Sequence, residues 1–274
     1  MTEHESIKQS PLGQGTRYVN RYDPDLLYPI ARDINWQAKG IDRATLPFRG
    51  VDIWNAYELS WLDSRGKPVV RLAEFRIPAS SSHIIESKSF KLYLNSYNLT
   101  RFGSEAEVQT HLKQDLSQAA GGEVGVKLIR PDASLQMGKL EGRCLDDLEI
   151  DVEHYSPAPN LLQSAGEIVS ETLVSHLLKS NCPVTGQPDW GSLQIRYKGG
   201  RIDRKGLLAY IVSYREHGDF HEQCVENIFM DIWRRCRPQK LSVYARYVRR
   251  GGLDINPYRS SIADEPANPR LARQ

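Results

Sequence analysis

The chain has 274 residues and a nearly balanced charge, with 36 basic and 34 acidic residues. This length suits two domains. The small net charge of +2 argues against nucleic acid or an acidic membrane as an obligatory partner. The first ten residues are polar, and no apolar run approaches the ~18 residues of a membrane-spanning helix. We therefore expect a soluble, cytoplasmic protein.

The cysteines are few and scattered. Four are present and none forms a C-x-x-C pair, which argues against a disulfide framework and a zinc ribbon. We expect reduced thiols, with Cys144, Cys224 and Cys236 as small buried hydrophobic residues. Cys182 differs because Asn, Pro, Gly and Asp residues surround it, and this composition predicts a short loop.

The first half of the chain predicts a polar extension, a strand pair and two helices. Residues 1–45 contain Pro and Gly and are weakly periodic, so we expect an N-terminal extension around a core. Residues 51–61 and 69–77 alternate apolar and polar side chains on either side of a turn, which predicts a β-hairpin. Helical spacing over residues 90–97 and a capping box at Ser104 predict the two helices.

Later segments complete a module and then repeat it. Strands at 124–128 and 143–152 would close a ββααββ order within a first module of residues 46–155. A second module of residues 156–274 follows the same plan, with strands, helices and a further strand in the order 171–178, 193–197, 203–216, 220–235 and 241–248. Residues 168–179 also fit a helix by spacing, but the repeated order favours a strand. The predicted class is α+β, with antiparallel sheets in tandem modules.

Identical residues recur at a fixed offset of 117 positions. The pairs fall on corresponding helices of the two modules: Lys88 and Lys205, Tyr93 and Tyr210, Ser96 and Ser213, Tyr97 and Tyr214, Glu105 and Glu222, Val108 and Val225. A tandem duplication explains them. Since the copies differ at the residues best suited to chemistry, we expect one active site divided between the two halves.

Cys182 and Asp189 place a potential nucleophile and a potential acid on one short loop. A cysteine attacks as its thiolate, so its reference pKa of ~8.5 must be lowered by nearby donors or positive charge. Asp189 would not lower it, but a protonated Asp189 could act as a general acid when sulfur adds to a substrate. Asp189 could equally cap a turn after Pro188, and spacing alone does not decide between these roles.

A second pair of polar residues, His221 and Glu222, opens a predicted helix. The helix N-terminus stabilises a carboxylate there, and Glu222 could accept hydrogen bonds from the N–H groups of a purine-like edge. The same pair is also common as a simple helix cap.

Positive charge collects near a glycine turn. Lys88, Arg249 and Arg250, with the backbone of Gly251 and Gly252, suit a phosphate-bearing cofactor, although on charge alone a solvated surface is the better explanation. No Gly-rich Rossmann fingerprint is present, so a dinucleotide would bind on sheet, helix ends and loops.

Four strings in the sequence carry a family resemblance: ESKSFKLYLNSYN, SNCPVTGQPDWG, HGDFHEQC and RRGGLDINP. Together they resemble the QueF-type NADPH-dependent nitrile reductases, the 7-cyano-7-deazaguanine reductases, in their two-module form. This resemblance implies a tunneling fold, in which ββααββ modules associate through antiparallel sheets into a barrel. It also implies reduction of the nitrile of 7-cyano-7-deazaguanine to 7-aminomethyl-7-deazaguanine with NADPH, in queuosine biosynthesis for tRNA modification.

The resemblance also assigns roles by position. Cys182 would add to the nitrile as a thioimide, and Asp189 would supply protons. The 7-deazaguanine would be held by Ile85, Glu86, Ser87, His221 and Glu222. NADPH would contact Ser87, Lys88, Arg250 and Gly251. No metal is implied, and the chain lacks a convincing zinc ligand set by spacing.

Two other functions fit the same fold. The chain could be a non-catalytic pterin- or purine-binding module in which Cys182 is merely packed, or a hydrolase resembling the zinc-dependent cyclohydrolases. Exposed sheet edges in two modules favour a homodimer, with a small-molecule substrate and neither nucleic acid nor membrane as direct partner.

Overall fold

The computed structural model describes residues 18–134 and 136–274. They divide into two compact units. The first unit contains the described residues up to Leu46, residues 52–134 and Arg249–Asp254. The second contains Pro47–Val51, Gln136–Val248 and Ile255–Gln274. Among the described residues, no helix is both long and apolar enough to cross a membrane.

The first unit combines sheet and helix. Its elements in chain order are β1 Pro29–Ala31, α1 Arg32–Ala38, β2 Arg49–Leu62, β3 Pro68–Pro78, β4 His83–Ile85, α2 Ser87–Ser96, α3 Glu105–Ala120 and β5 Gly125–Ile129, with 3₁₀ turns at Pro24–Leu26 and Arg43–Thr45. Strands lie in the order β5-β3-β2, and β1 pairs antiparallel with β4.

The second unit repeats the two-strand, two-helix order and adds three strands. Its elements are β6 Arg143–Cys144, β7 Ser164–Asn181, β8 Pro188–Ile202, α4 Arg204–Val212, α5 His221–Cys236, β9 Lys240–Tyr247 and β10 Leu253–Ser260, with 3₁₀ turns at Pro159–Leu161 and Ser213–Glu216. Strands lie in the order β10-β9-β8-β7-β6. The pairs β7–β8, β8–β9 and β9–β10 are antiparallel, and β6 is parallel to β7.

Burial of apolar faces holds each unit together. In the first, α2 covers the sheet because the Phe90 ring packs 4.9 Å from Trp54 of β2 and 5.1 Å from Phe75 of β3, measured between ring centroids. In the second, α5 packs against β9, and Ile228 and Val243 of these elements are fully buried. The α+β class with antiparallel sheets predicted from sequence is confirmed.

Several predicted elements match the structure closely. The predicted hairpin is β2–β3, and the ambiguous segment 168–179 lies inside β7, so the strand interpretation was right. Ser104 does cap α3, because its Oγ accepts from the Glu107 N–H at 3.1 Å. The Glu107 carboxylate, however, accepts from Gly103 N–H at 2.7 Å, so the cap lacks the expected reciprocal bond to Ser104.

The strand predicted at 143–152 was wrong in length and in place. Only Arg143 and Cys144 form a strand, and it runs parallel to β7 in the second unit. The chain then turns, because Leu148 N–H donates to Leu145 O at 3.0 Å. Cys144 lies on this edge strand and is exposed, so its predicted burial was also wrong, whereas Cys224 and Cys236 are buried as expected.

Residues assigned to the N-terminal extension are partly integrated into the first unit. Residues 1–17 lie outside the described part of the chain. From residue 18 onward the segment contributes β1 and α1, and Ile30 and Trp36 are each only 1% exposed. Residues 136–155 belong to the second unit and Arg249–Asp254 to the first, so the units do not follow the chain strictly. Independent modules at 46–155 and 156–274 stay a prediction.

The same polar network recurs in both units, as duplication predicts. In the first unit, Tyr93 Oη lies 2.6 Å from Tyr97 Oη and donates to Asp115 at 2.6 Å. In the second, Tyr210 Oη lies 2.9 Å from Tyr214 Oη and donates to an aspartate, Asp231, also at 2.6 Å. Burial holds the pKa of both donor tyrosines well above the usual value, so their hydroxyls stay protonated.

A serine contact between the first helix of this pair and the chain segment before the unit also occurs in both units. Ser96 Oγ donates to Tyr93 O and accepts from Asp23 N–H, beside the first 3₁₀ turn. Ser213 Oγ donates to Tyr210 O and accepts from Ala158 N–H, beside another. The serine therefore ties each helix to the chain segment that leads into its unit.

This repetition predicts matched losses of stability. Tyr93→Phe and Tyr210→Phe should each lower the free energy of unfolding by about 1–3 kcal/mol, because a partly buried carboxylate loses a donor. Denaturant titration measures the loss. Tyr18→Phe is the control, since Tyr18 is 64% exposed. Unchanged unfolding midpoints in both buried variants would contradict a structural role for the network.

Candidate active site

The loop between β7 and β8 fixes the backbone of Cys182. Cys182 N–H donates to Gln187 O at 2.9 Å, and Gly186 N–H donates back to Cys182 O at 3.0 Å. Gly186 has a φ of 68°, a left-handed conformation that glycine adopts without a Cβ penalty. The turn is therefore closed from both ends, and the cysteine has one defined backbone position directly after β7.

The register of the hairpin brings Asp189 to the same face as Cys182. Ser180 of β7 pairs with Asp189 of β8. Side chains alternate along a strand, so Cys182, two residues beyond Ser180, continues the face that Ser180 and Asp189 share. Both candidate residues are nearly enclosed, with Cys182 5% and Asp189 7% exposed. The seven-residue spacing between Cys182 and Asp189 is thus that of a tight β-hairpin.

A histidine from another element completes this face. His221 is the first residue of α5, and its Nε2 lies 3.9 Å from Asp189 Oδ1. The His221 ring meets the Tyr247 ring edge to face, with centroids 4.1 Å apart. Glu222 follows at the N-terminus of the same helix and is 3% exposed. The structure therefore brings Cys182, Asp189, His221 and Glu222 into one region of the second unit.

A nearby second thiol behaves differently. Cys224, in the first turn of α5, is fully buried, and this burial raises its pKa to about 12. The carboxylates of Asp219 and, more weakly, Asp189 contribute to this rise in pKa. A thiol with such a pKa is protonated at neutral pH and is a poor nucleophile. Cys224 therefore packs the region behind Asp189, which leaves Cys182 as the candidate nucleophile.

Glu86 caps a helix in the first unit. Its carboxylate accepts from Lys88 N–H at 2.6 Å and from Ser89 N–H at 2.8 Å, so it closes the N-terminus of α2. Burial raises the pKa of this carboxyl, while the two N–H donors oppose the rise. Ile85 precedes it as the last residue of β4 and pairs with Pro29 of β1. Asp203 caps α4 in the same way, so the duplication preserves the cap.

Of the predicted cofactor residues, Ser87 and Lys88 begin α2, and Arg250 and Gly251 form a glycine turn. Arg250 N–H donates to Leu253 O at 2.8 Å, closing a turn through Gly251 and Gly252. Gly251 has a φ of 61°, and an added Cβ there would lie 2.5 Å from Lys91 Nζ. Since Lys91 belongs to α2, the ESKSFK and RRGG strings approach each other in space. The turn therefore combines exposed peptide groups with an adjacent ammonium.

Contacts to β2 hold this turn in place. Tyr57 N–H donates to Gly252 O at 2.9 Å, and Tyr57 Oη donates to Asp254 at 2.6 Å. The Arg249 guanidinium lies over the Tyr57 ring, 5.0 Å from its centroid. Arg249 thus stacks on an aromatic ring, which fixes the start of the turn.

Two residues near the candidate site, Lys91 and Tyr247, could not be predicted from the sequence. Lys91 was available as the second lysine of the ESKSFK string, but only its contact with Gly251 places it beside the turn. Tyr247 gave no local signal, because its role depends on β9 lying beside α5. Long-range packing decides both positions, so spacing along the chain could not.

Comparisons with known proteins identify the family. A family model described as "Nitrile reductase, 7-cyano-7-deazaguanine-reductase N-term" matches residues 18–128, and one described as "QueF-like protein" matches residues 188–266. A protein of Chromohalobacter salexigens named NADPH-dependent 7-cyano-7-deazaguanine reductase is 55% identical over 98% of both chains. The chain belongs to this reductase family.

Other relatives carry the same name. A protein of Azoarcus sp. is 57% identical, with 96% of this chain and 94% of the relative covered. One of Bordetella parapertussis is 57% identical, with 98% of this chain and all of the relative covered. A crystal structure of the apo archaeosine synthase QueF-Like covers 36% of this chain and 99% of its own, at 14% identity and a TM-score of 0.31.

The raised pKa of Cys224 predicts that this thiol is alkylated slowly in the folded protein and rapidly in the unfolded protein. At pH 8 in native protein, iodoacetamide should modify Cys224 roughly a thousandfold more slowly than in denaturant, because about three pKa units separate the buried thiol from an ordinary one. Peptide mass mapping against time measures both rates. Equal rates would show that Cys224 is accessible and ionised in the folded state.

Proposed function

We propose that the chain reduces the nitrile of 7-cyano-7-deazaguanine to the primary amine of 7-aminomethyl-7-deazaguanine, through a covalent thioimide on Cys182. The observation that supports this most directly is the shared face of Cys182 and Asp189 at the β7–β8 loop, with His221 beside Asp189. The names of the curated relatives support the same substrate and NADPH as the reductant.

Cysteine chemistry makes the nitrile reducible. The Cys182 sulfur bonds to the nitrile carbon, one π pair of the triple bond moves to nitrogen, and that nitrogen takes a proton. NADPH supplies the hydrides when bound. After the first hydride reaches the carbon, cleavage of the C–S bond returns the thiol and leaves an imine, which accepts the second hydride. Four electrons and the matching protons convert the nitrile into the amine.

Asp189 is the proposed proton donor. It shares the face of Cys182 and is nearly excluded from solvent, so a proton it carries is directed to the substrate nitrogen. His221 Nε2 lies 3.9 Å from Asp189 Oδ1, close enough for electrostatic interaction but beyond hydrogen-bond distance. In this proposal Asp189 acts as a general acid, and the alternative role is a cap for the turn.

We assign recognition of the 7-deazaguanine to the five residues that the family resemblance implies. Glu222 offers acceptor oxygens at the α5 N-terminus, which suit the N–H groups of the deazaguanine edge, and His221 lies next to it. In the first unit, Ile85, Glu86 and Ser87 are proposed to contribute. Glu86 Oε1 accepts from Lys88 N–H and Ser87 Oγ, whereas Oε2 accepts from Ser89 N–H and keeps a lone pair for a ligand donor.

The glycine turn fits a phosphate-bearing cofactor. We assign NADPH contacts to Ser87, Lys88, Arg250 and Gly251, and add Lys91 because its ammonium lies where a Gly251 Cβ would be. Ammonium and guanidinium groups beside exposed peptide N–H groups bind phosphate oxygens. A place in queuosine biosynthesis, a cytoplasmic location, a homodimer, and action without direct contact to nucleic acid or membrane are part of the same proposal.

Substrate turnover tests the function directly. Purified chain, 7-cyano-7-deazaguanine and NADPH should yield the amine, with two NADPH oxidised for each nitrile consumed. Cys182→Ala should abolish NADPH oxidation, and Cys236→Ala serves as the matched control because Cys236 lies at the far end of α5. Full activity of Cys182→Ala, or a hydrolysed product that forms without NADPH, would overturn the proposal.

The acid role of Asp189 predicts a selective defect. Asp189→Asn should slow turnover by roughly 100–10,000-fold, typical for loss of a general acid. Binding of 7-cyano-7-deazaguanine, measured by calorimetry, should weaken much less. Asp219→Asn tests whether any nearby carboxylate matters, since Asp219 bonds His217 rather than His221. Normal turnover of Asp189→Asn would return this residue to a turn-capping role.

The proposed cofactor site predicts that adding one methyl group at Gly251 weakens NADPH binding. Gly251→Ala should displace the Lys91 ammonium and raise the KM for NADPH, while binding of the nitrile substrate is retained. Gly166→Ala is the matched control: Gly166 has a φ of 73°, yet an added Cβ has no atom within 4 Å. Both variants carry similar backbone strain, so an equal rise in KM would place the cofactor elsewhere.

A further inference from the structure

Three side chains with metal-binding chemistry converge on the edge of the second unit. Cys144, Asp146 and His176 each present a ligand atom, and these atoms all lie within 4.8 Å of one another. Cys144 and His176 are exposed, and Asp146 is partly buried. None of these residues belongs to the set assigned to nitrile reduction.

Strand pairing explains the convergence. β6 runs parallel to β7, with Cys144 opposite Val174, and Leu145 N–H donates to Val174 O at 2.8 Å. Asp146 and His176 each follow two residues later on their own segment, so the strand period places them on the same face. Here β7 also bulges, since its register with β8 shifts between Ser175 and Leu178. Bulges of this kind redirect side chains and are common beside functional sites.

Neighbouring groups hold two of the three ligands in place. The Asp146 carboxylate accepts from Ser175 Oγ at 2.7 Å and from His176 N–H at 2.9 Å. His176 Nδ1 lies 2.8 Å from Ser192 Oγ. When Nδ1 carries the proton and donates to this hydroxyl, Nε2 keeps its lone pair. Supporting hydrogen bonds of this type orient histidine and carboxylate ligands in metal sites.

We propose that Cys144, Asp146 and His176 bind a divalent transition metal of the zinc type. A thiolate, an imidazole and a carboxylate together match the ligand preference of Zn²⁺, with water in a fourth position. Metal–ligand bonds of about 2.0–2.3 Å put ligand atoms roughly 3.5 Å apart. The three side chains therefore close by about 1 Å, a movement that two exposed side chains can make by small χ rotations.

The local charge is compatible with a cation. Thiolate and carboxylate supply two negative charges. The nearby Arg273 guanidinium donates to His176 O, Gly191 O and Ser192 Oγ, so its protons point at oxygens of the strand and loop. Binding would tie the two-residue strand β6 to β7 and would make the reactivity of Cys144 depend on metal.

Cobalt titration of the full chain tests the site. Co²⁺ added to chelator-treated wild-type protein should give one equivalent of binding, with the near-ultraviolet charge-transfer band of a thiolate ligand. Cys144→Ser should lose the band, and His176→Gln should weaken binding at least about tenfold, as expected for loss of a ligand. His154→Gln is the matched control for an exposed histidine, and Cys182→Ala should keep the band.

A second readout does not depend on cobalt. Zn²⁺ should slow alkylation of Cys144 in wild-type and His154→Gln protein but not in His176→Gln protein, as peptide mass mapping measures. Nitrile reduction should proceed normally in Cys144→Ser, which also verifies its fold. An absent cobalt band, a band that persists in Cys144→Ser, or equal Zn²⁺ protection with and without His176 would overturn the proposal.

Discussion

The antiparallel pairing of β7 with β8 is the constraint on which the candidate chemistry depends. These strands of 18 and 15 residues fix a register in which Ser180 faces Asp189. A one-residue slip would move every side chain of one strand to the opposite face. The loop bonds between Cys182, Gly186 and Gln187 then give the Cys182 backbone one position relative to that face. Backbone pairing therefore fixes where the proposed nucleophile Cys182 and the proposed acid Asp189 lie.

Duplication explains why the two units share a scaffold but differ in chemistry. Each has a helix capped by an acidic residue, Glu86 or Asp203, and each has a buried tyrosine pair that donates to an aspartate. These groups cap helices and satisfy buried hydroxyls in both units, and Glu86 is in addition proposed to contact the substrate. Cys182 has no counterpart in the first unit, since its loop corresponds to the turn between β2 and β3.

Local rules predicted most of the elements and failed where long-range pairing decides. Helices α2, α3, α4 and α5 were predictable because apolar spacing and caps lie within each segment. The short strand β6 was not, because its partner β7 lies about thirty residues away in sequence and pairs with it in parallel. Cys144 was expected to be buried because free cysteines usually are, but its place on this edge strand leaves it exposed. The cluster of Cys144, Asp146 and His176 could not be predicted from spacing, because its histidine lies on the partner strand.

The candidate site shows the same division. Cys182 and Asp189 could be predicted because a tight hairpin joins them, and His221 with Glu222 because they begin a helix. The roles of Lys91 and Tyr247 could not, since they depend on contacts between elements distant in sequence. The proposed chemistry comes from the resemblance of whole sequence strings to a known family. The geometry of each unit gives physical reasons for the roles assigned to its residues.

Covalent capture of the nitrile tests the central claim most directly. Without NADPH, the intact mass of the chain incubated with 7-cyano-7-deazaguanine should rise by the mass of one nitrile molecule, and peptide mapping should place the addition on Cys182. Asp189→Glu should still form the adduct, since it keeps the carboxyl, and Cys182→Ala should form none. An active enzyme that shows no adduct, or the same mass increase in Cys182→Ala, would contradict the account.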